Sequence, residues 1–350
     1  MRIAQVSPLY ESVPPRLYGG TERVVSWLTE ALIDAGHEVT LFASGDSRTR
    51  ARLVPACERA LRLDERCALP LAHHMLQLEQ VFSRLRDFDV VHFHADFLHF
   101  PLSRRHEFAH VTTLHGRLDI PDLAPLYDEY DDMPVVSISD AQRRPLPAAH
   151  WVGTVHHGLP PDLFRIGRGA GGYLAFLGRI SPEKRADRAI EIARRIGMPL
   201  RIAAKVDRAD QEYFAREIQP LLDDPLVDFV GEIHDGDKQE FLGEAAALLF
   251  PIDWPEPFGL VMIEALACGT PVVAYRHGSV AEIVEDGVSG FVVDDLDAAV
   301  RGTRRALELD RAACRAAFER RFTAARMARD YFAVYRNLTR ATAPLRAVGD

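Results

Sequence analysis

Two carboxylates eight positions apart, Glu256 and Glu264, lie in the segment Pro255-Glu256-Pro257-Phe258-Gly259-Leu260-Val261-Met262-Ile263-Glu264. Pro257 and Gly259 favour a turn. The apolar run that follows reads as a helix, stopped by Gly269 and Pro271. Glu256 then precedes a helix start, where unpaired backbone N–H groups welcome an anion. Glu264 falls about two turns deeper, roughly 12 Å along the axis at 1.5 Å per residue. One anion-binding end and two separated carboxylates suit a ligand that carries phosphate and several hydroxyls, as a nucleotide sugar does.

Five other stretches carry polar residues. In Gly178-Arg179-Ile180-Ser181-Pro182-Glu183-Lys184-Arg185, Ser181 and Pro182 read as the cap and first residue of a helix. Cations at that end oppose the helix dipole unless an anion neutralises them. A diphosphate would do so, with Arg179 gripping as a fork and Lys184 as a point charge; pairing with Glu183 or Asp187 is the plainer reading. Tyr18-Gly19-Gly20-Thr21 lets a ligand approach backbone closely and opens a helix, with Thr21 a candidate cap. His115, before Gly116 at a strand end, is placed to donate to an oxygen. His92-Phe93-His94-Ala95-Asp96 sets two imidazoles and a carboxylate on one strand face. It is similar to the HxHxDH metal motif of binuclear hydrolases, but Phe97 takes the place of the last His, and hydrogen-bonding histidines are the favoured reading. Gly278-Ser279 opens a short helix whose Glu282 suits the dipole without any function.

These residues need elements to hold them. Strands are expected at Arg2 to Ser7, His37 to Ala43, Val90 to Phe93, Val111 to Leu114 and Pro134 to Ile138. After a Gly-rich break at Gly167 to Gly172 they resume at Tyr173 to Gly178, Leu200 to Ala204, Val227 to Val230, Ala246 to Pro251, Pro271 to Tyr275 and Gly290 to Val293. Helices at Thr21 to Ala35 and Pro182 to Ile196 alternate with them, and Asp297 to Tyr335 reads as helical throughout. Strands alternating with helices imply parallel sheets covered on both faces. The reading is α/β: two doubly wound Rossmann-like domains facing a cleft, residues 1–165 and 166–325. Residues 326–350 form a helix packing back on the first domain, plus a tail. Ligands of such sheets bind beyond the carboxyl ends of the strands.

Bulk composition narrows the classes. A chain of 350 residues exceeds one typical core. A net charge of −9 argues against nucleic acid as the main partner. The cysteines Cys57, Cys67, Cys268 and Cys314 form no CxxC pair, so a reducing compartment is the simpler setting. The opening run is too short for a signal peptide, and no apolar stretch reaches the ~18 residues of a membrane span. A cytoplasmic protein is expected, with weak contact to a membrane surface left open.

Together the motifs resemble the retaining GT-B glycosyltransferases of family four, along nearly the whole chain and most closely from Phe176 to Asp294. The resemblance implies transfer of a hexosyl group, glucose from UDP-glucose in the first instance, to an unidentified hydroxyl acceptor, with no cofactor and no metal. It implies that Arg179 and Lys184 neutralise the donor diphosphate, with Gly19 and Gly20 packing backbone against it. Glu264 would hold the ribose, and Glu256 the sugar hydroxyls and the positive charge at the anomeric carbon. Phe258, Gly259, Leu260 and Val261 would offer backbone N–H groups, Ile233 would border the base, and His115 would contact the sugar. Arg185 departs from the Gly common after the motif Lys, and His157 from the Asn common before the interdomain Gly. The stretch from Gln5 to Gly20 is similar to a subgroup labelled UDP-glucose:tetrahydrobiopterin glucosyltransferase. A GT-B nucleotide-sugar epimerase and a non-catalytic nucleotide-sugar binder are the alternatives.

Overall fold

Among the described residues the apolar runs become thirteen strands in two separate parallel sheets. The computed structural model describes residues 1–16 and 19–342, so Tyr18 and the tail lie outside the described residues. The chain divides into two compact units: residues 1–158 with 324–350, and residues 159–323.

The first unit holds β1 (Arg2–Val6), β2 (Glu38–Ser44), β3 (Arg52–Cys57), β4 (Val90–Phe93), β5 (His110–Thr113), β6 (Val135–Ser137) and β7 (Trp151–Thr154), in sheet order β3-β2-β1-β4-β5-β6-β7. The second holds β8 (Leu174–Arg179), β9 (Leu200–Lys205), β10 (Val227–Gly231), β11 (Ala247–Phe250), β12 (Val272–Tyr275) and β13 (Gly290–Val293), in order β10-β9-β8-β11-β12-β13. In each sheet the strand order turns back beside its first strand: β1 pairs with β2 and β4, and β8 with β9 and β11. At such a switch point the flanking loops diverge to opposite faces and leave a crevice at the strands' carboxyl ends.

Parallel strands are covered on both faces, so they are apolar along their length. In the second unit Leu174, Phe176, Ile202, Leu249, Val273 and Phe291 pack with Ile190 and Ala193 of the helix Ala186–Ile196. In the first, Ala4, Val6, Phe42, Val91 and Phe93 meet Leu78 and Val81 of the helix Pro70–Phe82. Each fully buried Leu, Val or Phe contributes about 1.5–3 kcal/mol.

Three expectations need correction. The segment Asp297 to Tyr335 is not one helix but parts of three: Leu296–Ala306, Arg311–Arg321 and Ala324–Thr342. Asp310 starts the second by accepting from Ala312 N at 2.9 Å, which breaks the run there. The first helix, Gly20–Asp34, is capped at Gly19, and Thr21 sits inside its first turn. The helix expected from Pro182 is interrupted: Pro182–Lys184 is a 3-10 turn, Arg185 is left-handed (φ 54°, ψ 52°), and the α-helix begins at Ala186.

Candidate functional site

The second unit's switch point gathers the basic pair and the first carboxylate. Arg179 is the last residue of β8, not a loop residue, and Lys184 ends the 3-10 turn after it. Glu256 lies on the loop after β11, which hydrogen-bonds to that turn through Asp253 N and Glu183 O at 2.8 Å. The Lys184 ammonium forms an ion pair with Glu256. Trp254 Nε1 donates to the same Glu256 oxygen at 3.1 Å. The Lys184 nitrogen also stands 4.9 Å from the Trp254 ring centre and 5.6 Å from that of Phe250. Glu256 and Lys184 are thus largely withdrawn from water, where charges act more strongly on each other.

The remaining cations are held by carboxylates. Arg179 donates to Glu183 at 2.7 Å and lies 3.6 Å from Asp207 and 3.7 Å from Asp210. Arg185 pairs with Asp187 at 2.7 Å and Asp253 at 3.0 Å, and Arg188 with Asp253 at 2.9 Å. The plainer sequence reading, cations neutralised by nearby acids, describes these contacts. Lys184–Glu256 and Arg185–Asp253 both join the turn after β8 to the loop after β11.

Glu264 is apart from this group. Residues 256–259 are not helical, so the axial spacing expected from a continuous helix does not apply; the helix is Leu260–Ala267. Glu264 is buried and bonds to Lys238 Nζ at 2.8 Å, and Lys238 also reaches Asp235 at 3.3 Å. Gly259 starts the helix in the left-handed region (φ 82°), which a side chain would strain. Leu260 and Val261 follow in its first turn, where N–H groups lie outside the helix's own ladder. Phe258 is buried, and its carbonyl accepts from Ser279 Oγ at 2.7 Å. Ile233 is half-buried between Gly231, which ends β10, and the helix Asp235–Gly243.

Gly278 explains the rigidity of the Glu256 backbone. It is left-handed (φ +55°), and a Cβ there would sit 2.2 Å from Glu256 O. Ser279 N donates to that same carbonyl at 3.0 Å. The Gly278-Ser279 stretch, readable without function from sequence, therefore braces both Glu256 and Phe258. Sequence reasoning missed Lys238 and Trp254 altogether. Lys238 sits in an ordinary charged stretch with no signal; Trp254 stands two residues before Glu256, which was the available clue.

In the first unit, Gly19 packs against Pro15 and Glu11: a Cβ there would lie 2.8 Å from Pro15 Cβ and 3.2 Å from Glu11 Cγ. Gly20 begins the helix, and Glu22 in its first turn is buried, which pushes its carboxyl up. His115 follows β5 and bonds through Nε2 to His94 Nδ1 at 2.9 Å. Its ring stacks on His157, centres 5.3 Å apart. Burial drives the His115 imidazole down to about 3 and keeps His92, His94 and His157 well below the usual histidine range. His92 bonds to Tyr335 and Thr113, each at 2.7 Å. The two motif imidazoles are thus committed to hydrogen bonds, and among the described residues no group of three or more His, Cys, Asp or Glu is placed to hold a metal ion. No helix of the described residues is long and apolar enough to cross a membrane.

Comparison with known proteins follows the two units. Residues 18–190 match the model of Glycosyltransferase Family 4, and residues 168–321 that of Glycosyl transferases group 1. A D-inositol 3-phosphate glycosyltransferase of Mycolicibacterium smegmatis is 32% identical over 203 residues, 51% of this chain and 43% of the relative. The match therefore spans less than half the length of that relative. Among solved structures, AviGT4, a glycosyltransferase involved in avilamycin A biosynthesis, is 27% identical with a TM-score of 0.74, over 97% of this chain and 98% of that one. Anabaena HepE in complex with UDP and glucose shares the fold at 16% identity and a TM-score of 0.74, over 96% and 100%. Both sheets, their strand orders and two family matches that together run from residue 18 to residue 321 agree in one resemblance: the chain is similar to the group 1 glycosyltransferases of the GT-B fold.

Proposed function

We propose that the protein is a retaining glycosyltransferase that takes a hexosyl group, glucose, from UDP-glucose and passes it to a hydroxyl acceptor. The observation that carries this reading is the Lys184–Glu256 pair, set with Arg179 at the switch point of the second sheet. In the free protein Glu256 occupies the cation that a diphosphate would take. When donor binds, its phosphates replace Glu256 on Lys184 and share Arg179 with the carboxylates. Glu256, held by Trp254 and its braced backbone, is then free to take sugar hydroxyls and to stabilise positive charge at the anomeric carbon. Glu264 holds the ribose hydroxyls, and the N–H groups from Phe258 to Val261 meet sugar and phosphate. Ile233 borders the base. Gly19, Gly20 and His115 are the first unit's contributions.

The bond from the anomeric carbon to the phosphate oxygen breaks, and the acceptor oxygen bonds to the same face. The departing phosphate oxygen takes the acceptor's proton. Arg179 and Lys184 offset the charge that develops on the leaving group, the work that a metal ion does elsewhere. HepE's complex with UDP and glucose supports UDP-glucose as the first donor to try.

A thermal-shift screen of UDP-, GDP- and ADP-sugars tests the donor, because a ligand that binds only the folded state raises its stability. UDP-glucose is expected to give the largest shift. Glu256→Ala is expected to keep donor binding and lose UDP release. Binding with no turnover across a broad acceptor panel would instead favour a non-catalytic binder.

A further inference from the structure

His115 ends a buried chain of hydrogen bonds that runs through the first unit. Thr113 Oγ1 lies 2.8 Å from Tyr331 Oη and 2.7 Å from His92 Nε2. His92 Nδ1 lies 2.7 Å from Tyr335 Oη, which is 3.2 Å from Gln5 Nε2. Gln5 Oε1 then lies 2.7 Å from His94 Nε2, and His94 Nδ1 2.9 Å from His115 Nε2. Beyond it, His115 Nδ1 is buried and has no hydrogen-bond partner among the described residues.

The Gln5 amide sets the direction of this chain: its nitrogen faces Tyr335 and its oxygen faces His94. A neutral imidazole has one N–H and one bare nitrogen. His94 must then carry its proton on Nε2 to satisfy the amide oxygen, which leaves Nδ1 bare. His115 must donate from Nε2 to that bare nitrogen. The burial that keeps both rings neutral prevents a second proton from blurring this order.

We propose that Gln5 is a positioning residue that fixes His115 as the Nε2–H tautomer, so that Nδ1 accepts a hydrogen bond from a ligand hydroxyl. This reverses the sequence expectation that His115 donates. It rests on the reading of His115 as a sugar contact and deepens it. A bare nitrogen repels phosphate oxygens and discriminates for a group that carries a proton. The His157 ring, stacked at an 18° interplanar angle, keeps the His115 plane fixed while it does so.

Nitrogen NMR of the full chain labelled with 15N-histidine tests the tautomer, with His115→Asn assigning the signals. The wild type is expected to show a protonated His115 Nε2 and an unprotonated Nδ1. Gln5→Met should mix the two tautomers and lower kcat/KM for UDP release from UDP-glucose by about tenfold, the value of one hydrogen bond. Gln5→Glu, whose carboxylate also accepts from His94, should restore both. A protonated His115 Nδ1 in the wild type, or an unchanged tautomer in Gln5→Met, overturns the proposal. The tautomer is read without turnover. An expected NMR result with unchanged UDP release in His115→Asn would therefore overturn the ligand contact while leaving the role of Gln5 supported.

Discussion

At the scale of single residues, the candidate site consists of charges that neutralise one another. Lys184→Ala is expected to lower kcat/KM for donor by about 10- to 150-fold, the range for losing a hydrogen bond to a charged group. Steady-state kinetics with UDP-glucose check this, and unchanged constants would sink the phosphate assignment. Glu264 and Lys238 give a different test, because Glu264 is buried and Lys238 is its ion-pair partner. Lys238→Met strands the buried Glu264 carboxylate and should cost about 3–5 kcal/mol in chemical unfolding. Replacing both with Met should cost clearly less, since no lone charge remains. Equal losses in the single and double variants would mean the pair does not couple. Glu256 and Glu264 were legible in the sequence as a spaced pair. Their partners were not: Lys238 reaches Glu264 from the helix Asp235–Gly243, which no local pattern encodes, and Trp254, two residues before Glu256, belongs to no motif of its own.

At the scale of elements, the turn after β8 shows how one departure from the family pattern is accommodated. The position after Lys184 is left-handed, a conformation that the Gly expected there from the family resemblance would adopt without strain. Arg185 accepts that conformation and is tied down by Asp187 and Asp253. Arg185→Ala loses the ion pairs and keeps the strain, whereas Arg185→Gly loses the pairs and relieves it. The Gly variant is expected to be more stable than the Ala variant by about 1 kcal/mol, against the usual preference for Ala. Thermal melts of the two proteins decide the order. β4, inside the first sheet, and β13, at an edge of the second, could both be read to the residue, because Val90, Val91, Phe93, Phe291 and Val293 are buried and keep these strands largely apolar. β3 and β7 escaped notice. They are the two edges of the first sheet, where Pro55 and Gly153 are tolerated and dilute the pattern.

At the scale of the whole molecule, titration separates the two units. Of fourteen histidines only His234 and His277 lie in the second. In the first, burial holds His92, His94, His99 and His157 well below the usual range and His115 at about 3. Once unfolded, each would take a proton near pH 6.5. Below that pH the unfolded chain binds more protons than the folded one, so stability falls as pH falls. Lowering the pH from 7 to 5.5 should cost the first unit about 1.3 kcal/mol for each such histidine. Hydrogen exchange is expected to show protection in β4, β5 and β6 declining while β8, β11 and β12 hold. Loss of protection in the second unit first would refute this. The helix Ala324–Thr342 belongs to the first unit and supplies Tyr331 and Tyr335, the partners of Thr113, His92 and Gln5. During synthesis these strand residues therefore leave the ribosome long before the tyrosines that satisfy them. The unit that begins first is the one completed last, and its nascent form must wait through the translation of the entire second unit with its polar interior still open.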